Sequence, residues 1–229
     1  MSDITVTEKY ALCMLKEVKK FNDLELATHL IVSMVVEMML EGSIEIIDNN
    51  KKKKWEIISD IKVRLNNKIP KNEYNRELYK IIEEFNKTEI SISQIIEKLC
   101  YSFSNKNYFA VIQALQEKMI SNKLISLQKK KGIFKEKEII VINEEEFNSI
   151  IGKIRTEFLE KGTLTDEFVL LVSLLDSTNF LKNIFIKYEK ETLKKRLKEI
   201  KETEISKQVS IAREVINALD TAIIVATMD

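Results

Sequence analysis

Four glycines and one proline in 229 residues leave almost no material for tight turns. An all-β sandwich or barrel needs turn residues roughly every 8–12 positions, so helices must dominate. With 45% hydrophobic and 32% charged residues, the chain is too apolar to stay disordered and too evenly charged to be membrane-embedded. Thirty-seven Lys and Arg against 36 Asp and Glu give a formal charge of +1, so no global field draws it to nucleic acid or an acidic membrane. Any such attraction must be local.

One histidine, His29, and two distant cysteines, Cys13 and Cys100, cannot build a His-rich metal centre, a CxxC pair or a disulfide framework. Reduced thiols and no cofactor are expected. The opening MSDITVTEKY lacks the basic-then-apolar order of a signal peptide. The longest apolar run, Leu30 to Leu40, is broken by Ser33 and Glu37 and falls short of the roughly 20 residues that span a bilayer. A cytoplasmic location is the expectation.

Periodicity predicts an amphipathic helix after Thr7 with Tyr10, Ala11, Met14, Leu15 and Val18 on one face. A second helix starts at Asn22 or Asp23 and runs to Gly42, with apolar residues nearly encircling its axis, which places it in the middle of the fold. Ser-Ile-Glu-Ile-Ile, a polar tip over 48–54 and Trp55-Glu-Ile-Ile-Ser read as a β-hairpin. Further helices are predicted over 71–87 behind Pro70, 91–103 and 107–122. A second hairpin has strands at 124–127 and 139–142, a Lys-rich connection and room for a short strand at 132–134. Helices over 143–161, 165–185, 190–201 and 205–227 complete the chain. The predicted fold is mainly α: buried central helices wrapped by amphipathic ones, with two small β-hairpins. An apolar helix followed at once by a hairpin occurs twice, at 24–59 and 108–142, which is the outline of a winged helix.

Some residues look less anonymous. Phe21, Asn22 and Asp23 open the long apolar helix, which ends in Glu37-Met-Met-Leu-Glu-Gly-Ser-Ile-Glu-Ile. A later apolar helix leads into Lys123-Leu-Ile-Ser-Leu-Gln-Lys-Lys-Lys-Gly-Ile-Phe, and the last predicted helix carries Ala218-Leu-Asp-Thr-Ala-Ile. In these features the chain resembles the Golgi phosphoprotein 3 family, as a divergent, bacterial-type member, over most of its length; residues 1–229 are read as a single domain of that kind. The resemblance implies a non-catalytic peripheral membrane protein that binds the phosphatidylinositol 4-phosphate headgroup, and an adaptor for cytosolic tails of membrane proteins. The family's pocket uses an indole, a helix arginine and two basic hairpin residues. Those positions fall here at Phe21 or Asn22, near Ile31, near Ser126 and at Lys129. Only Lys129 keeps its charge, with Lys130 and Lys131 beside it.

The expected partner is therefore an anionic phospholipid surface. Phe21, Lys129, Lys130 and Lys131 are the candidate headgroup contacts, and Lys51, Lys52, Lys53, Lys54 and Trp55 the candidate membrane contacts. Each lysine near an anionic surface is worth about 1 kcal/mol, but an ammonium supplies charge without the planar fork by which arginine grips a phosphate. The bland alternatives are a solvated turn for Lys51 to Lys54, a core-covering strand residue for Trp55 and a hydrophobic staple for Phe21. No GxSxG, P-loop, GxGxxG or HExxH pattern is present, and no catalysis is expected. The rival readings are a protein-interaction adaptor that ignores lipid and a winged-helix DNA binder. Against DNA, the helices that would enter the groove carry too few Arg or Lys to read bases.

Overall fold

The computed structural model describes residues 4–21, 23–47, 61–100, 106–131, 136–159 and 165–202, together with Ala212 and Ile216. Among them the chain is mainly helical, with two small antiparallel sheets. α1 (Val6–Val18) starts two residues earlier than expected, because Thr5 caps it. The Thr5 hydroxyl accepts from Glu8 N, and the Glu8 carboxylate takes the Thr5 N–H, a reciprocal capping box.

α2 (Leu24–Glu41) begins at the Asp23 cap, whose side chain accepts from Leu26 N, and ends at Gly42 in the left-handed region at φ 77°. From Leu26 to Met39 every residue is buried, so the expected central helix is the central helix. It packs on α1, α3 (Glu73–Glu83), α4 (Ile92–Cys100) and the strand β1 (Ile44–Ile47). Pro70, buried, sits just before α3.

The partner of β1 differs from the expected one. It is β2 (Lys62–Leu65), where Val63 turns inward and Arg64 outward, and the register runs from Ile44 opposite Leu65 to Ile47 opposite Lys62. Residues 55–59, expected as that strand, lie outside the described residues. A third strand, β3 (Ile90–Ser91), pairs with β2 and extends the β1–β2 hairpin to a three-stranded sheet. Two residues are too few to leave a periodic trace in sequence.

α5 (Lys106–Ser121) leads into the second unit, β4 (Ile125–Lys131) paired with β5 (Glu136–Ile142). Both strands are longer than expected, because the lysine-rich stretch continues the ladder instead of forming the connection. The short strand expected at 132–134 lies outside the described residues. α6 (Glu144–Leu159) follows at once, and Asn143 caps it through bonds from the N–H groups of Glu145 and Glu146.

The helix expected over 165–185 is two helices, α7 (Asp166–Ser177) and α8 (Phe180–Ile184). The Ser177 hydroxyl donates to Leu174 O and the Thr178 hydroxyl to Leu175 O, competing with the next helical turn. Asn179 then takes φ 58°. α9 (Lys190–Glu202) matches its expected span. Of the helix expected over 205–227, Ala212 and Ile216 are described; both are helical and fully buried. One contiguous apolar cluster includes residues from α1 to α9. No helix among the described residues is long and apolar enough to cross a membrane.

Candidate functional site

The register of β4 and β5 sorts their charges by face. Counting from the root, Ile125 pairs with Ile142, Leu127 with Ile140, Lys129 with Glu138 and Lys131 with Glu136. This set of pairs begins apolar, where Ile125 is buried and Ile140 and Ile142 pack on the core, and continues outward with a lysine of β4 in register with a glutamate of β5. The intervening positions pair Ser126 with Val141, Gln128 with Ile139 and Lys130 with Lys137. Here two lysines are partners in register, and like charges at such positions cost a two-stranded ribbon about 0.2–1 kcal/mol.

Lys130 is exposed, and so is Ile139. At the root of the ribbon, Ile120 at the end of α5 is also exposed; with Lys123, Ser126 and Val141 it lines an open groove of about 420 Å³. Residues 123–142 hold six lysines and two glutamates, an excess of four in a chain whose total is +1. The remainder of the protein is thus net acidic, and this ribbon is one of the stretches where positive charge collects.

The other expected site residues fall elsewhere. Phe21 is 6% exposed, and its carbonyl accepts a hydrogen bond from the Tyr108 hydroxyl near the start of α5. The ribbon starts after the opposite end of that helix, roughly 20 Å away at 1.5 Å per residue. Phe21 is therefore a packing residue two positions before the α2 cap and is not beside Lys129. Lys129 and Lys130 share β4 but alternate across it; Lys131 shares the strand position parity of Lys129, facing Glu136 in register. Lys51, Lys52, Lys53, Lys54 and Trp55 lie outside the described residues.

α2 is buried from Leu26 to Met39, and the exposed residues of α5 are Lys106, Phe109, Ala110, Gln113, Glu117, Ile120 and Ser121. Both thiols are protonated, because burial pushes Cys13 up to about 12 and Cys100 to about 11, which makes them poor nucleophiles. His29 is buried in α2 with its ring beside Tyr10.

A second polar constellation, unmarked in the sequence reading except as a break in an apolar run, surrounds Glu37. Its Oε1 accepts from Asn72 Nδ2 at 2.8 Å, the Tyr74 hydroxyl at 2.9 Å and Asn75 Nδ2 at 3.0 Å. The Tyr74 hydroxyl also bonds Thr5 Oγ1 at 2.9 Å, and Glu8 Oε1 takes Asn122 Nδ2 at 2.6 Å. Burial raises the proton affinity of Glu37, opposed by Thr7, Tyr74, Asn72 and Thr5. The phenol of Tyr74 is likewise pushed far above its ordinary value by burial and then by the Glu37 charge. The signal available in sequence was the residue itself: a lone acid amid the apolar residues of a central helix. No family model matches the chain, and no curated protein matches it.

Proposed function

We propose that this protein docks on anionic membrane surfaces through the β4–β5 ribbon, as a peripheral and non-catalytic lipid binder, with phosphate-bearing headgroups such as phosphatidylinositol 4-phosphate as the ligand class. The observation that carries this reading is the Lys130–Lys137 cross-strand pair. Folding alone gains nothing from two opposed cations, whereas an anion shared between them removes their repulsion. Ile139 on the ribbon and Ile120 at the end of α5 offer apolar area for shallow contact, and Lys123 adds charge at the root.

The reading differs from the expectation in its weights: Lys129 and Lys131 have glutamates opposite them in register, so Lys130 and Lys137 become the principal contacts. Vesicle flotation tests it. At about 1 kcal/mol per lysine, K130A/K137A lowers partitioning onto anionic vesicles about thirtyfold, and added salt does the same progressively. Equal partitioning of wild type onto neutral and anionic vesicles overturns the proposal. Recovery of a protein partner with no vesicle binding favours the lipid-independent adaptor instead.

A further inference from the structure

The carboxyl group of Glu37 is bonded asymmetrically. Three donors converge on Oε1, while Oε2 is buried with no hydrogen-bond partner. No cation pairs with it among the described residues. A carboxylate shares its charge over both oxygens and attracts donors to each; a carboxylic acid has one accepting carbonyl oxygen and one hydroxyl that must donate. Thr7 Oγ1 is fully buried and also lacks a completed hydrogen bond, so it does not relieve Oε2, and its influence on the carboxyl opposes that of burial.

We infer that Glu37 is held as a neutral carboxylic acid, and that its proton is a pH-sensitive pin at the junction of α1, α2 and α3. The junction is built for such a role. Asn72, Tyr74 and Asn75 come from the start of α3, Thr5 and Thr7 from the start of α1, and Glu37 from the penultimate turn of α2. The segment between β2 and α3 is strapped to the end of α2: Asn66 Nδ2 donates to Gly42 O, and Lys71 N to the Glu41 carboxylate. Losing the Glu37 proton places an uncompensated anion beneath this strap.

Few other charges intervene. α1 contributes Glu8, whose oxygens are engaged by Thr5 N and Asn122 Nδ2, and α3 contributes Tyr74, its phenol neutral. On α4, Glu97 is exposed, Lys98 pairs with Glu84, and Cys100 interacts with Thr28. On β1, Glu45 is exposed and pairs with Arg64. None supplies Glu37 with a counter-ion.

The sign follows from linkage. An acid that binds its proton more tightly when folded adds stability that is fully present below its unfolded pKa and is lost as pH rises toward the folded value. Within that window the folding equilibrium falls by up to about tenfold per pH unit. The decisive measurement is a titration of side-chain carboxyl carbons by NMR on the full chain, with the Glu37 resonance assigned through bonds in wild type so that no variant has to fold. Glu37 should titrate above every exposed glutamate, and Thr7→Val, which removes a group that favours the anion, should move its midpoint further up. Amides of 66–75 should exchange faster with rising pH in wild type, beyond the chemical rate, but not in Glu37→Gln. Titration of Glu37 with the exposed glutamates overturns the inference. The inference is independent of the membrane reading, since none of these measurements involves lipid.

Discussion

The two helix-plus-strand units, α2 with β1–β2 and α5 with β4–β5, begin from the same local pattern and end in different environments. α2 is enclosed on all sides and its sheet gains a third strand from β3; α5 is buried on one side only, and its ribbon stays two-stranded. The first unit is therefore held by packing and by the strap at Gly42, Glu41 and Asn66. The second is held by its root, with a charged outer half that contributes little to the core. What distinguishes a structural element from a presented one is the set of neighbours, and the neighbours lie far away in sequence.

The sharpest way to break this contrast is to truncate equivalent apolar side chains. Leu30→Ala in α2 should cost about 2–5 kcal/mol in denaturant unfolding, because it opens a cavity in a fully enclosed site. Phe109→Ala on the outer face of α5, where the ring is 56% exposed, should change stability by no more than about 0.5 kcal/mol. Comparable losses at the two positions would erase the distinction.

A smaller pair of effects comes from the glycines. Gly42 holds φ 77° at the end of α2, so Gly42→Ala should destabilise by about 1 kcal/mol although Lys68 Nζ leaves room for a methyl group. Gly152 lies inside α6 with open space around it, and Gly152→Ala should stabilise by about 0.5–1 kcal/mol. Thermal unfolding of both variants checks the opposite signs.

The smallest effects sharpen the description of the ribbon itself. Lys130→Glu replaces a like-charge pair with an opposite one and should stabilise the hairpin by up to about 1 kcal/mol at low salt, whereas Lys129→Glu sets two acids face to face and should destabilise it by a similar amount. Amide exchange in β4 and β5 reads both. Stability gained together with vesicle binding lost at Lys130 would be the signature of a residue retained for contact.

Much of the helical framework was legible because its signals are local. Asp23 and Gly42 bracket α2, Thr165 opens α7 and accepts from Phe168 N, and the apolar spacing of α3 and α5 marks their buried faces. The break at Asn179 was less legible, since it depends on hydroxyls bonding their own turn's carbonyls. β3 was invisible because a two-residue strand exists only by virtue of β2. At the ribbon, the lysine cluster could be read directly, but which lysines face acids could not: pairing partners follow from register, and register follows from how Ile125, Ile140 and Ile142 meet the core. Phe21 shows the same limit, for an aromatic residue at a helix entry can be bait for a membrane or a packing residue, and only its burial distinguishes them.

By itself the sequence determined that this chain is helical, that its longest apolar helix is central, and that a lysine-rich stretch follows α5, because propensity, capping and periodicity act over a few residues. Tertiary structure alone decided that Lys130 meets Lys137 while Lys129 meets Glu138, that Phe21 is inside, and that Glu37 gathers three donors on one oxygen. Those facts depend on which distant residues share a small volume, and no spacing along the chain encodes that.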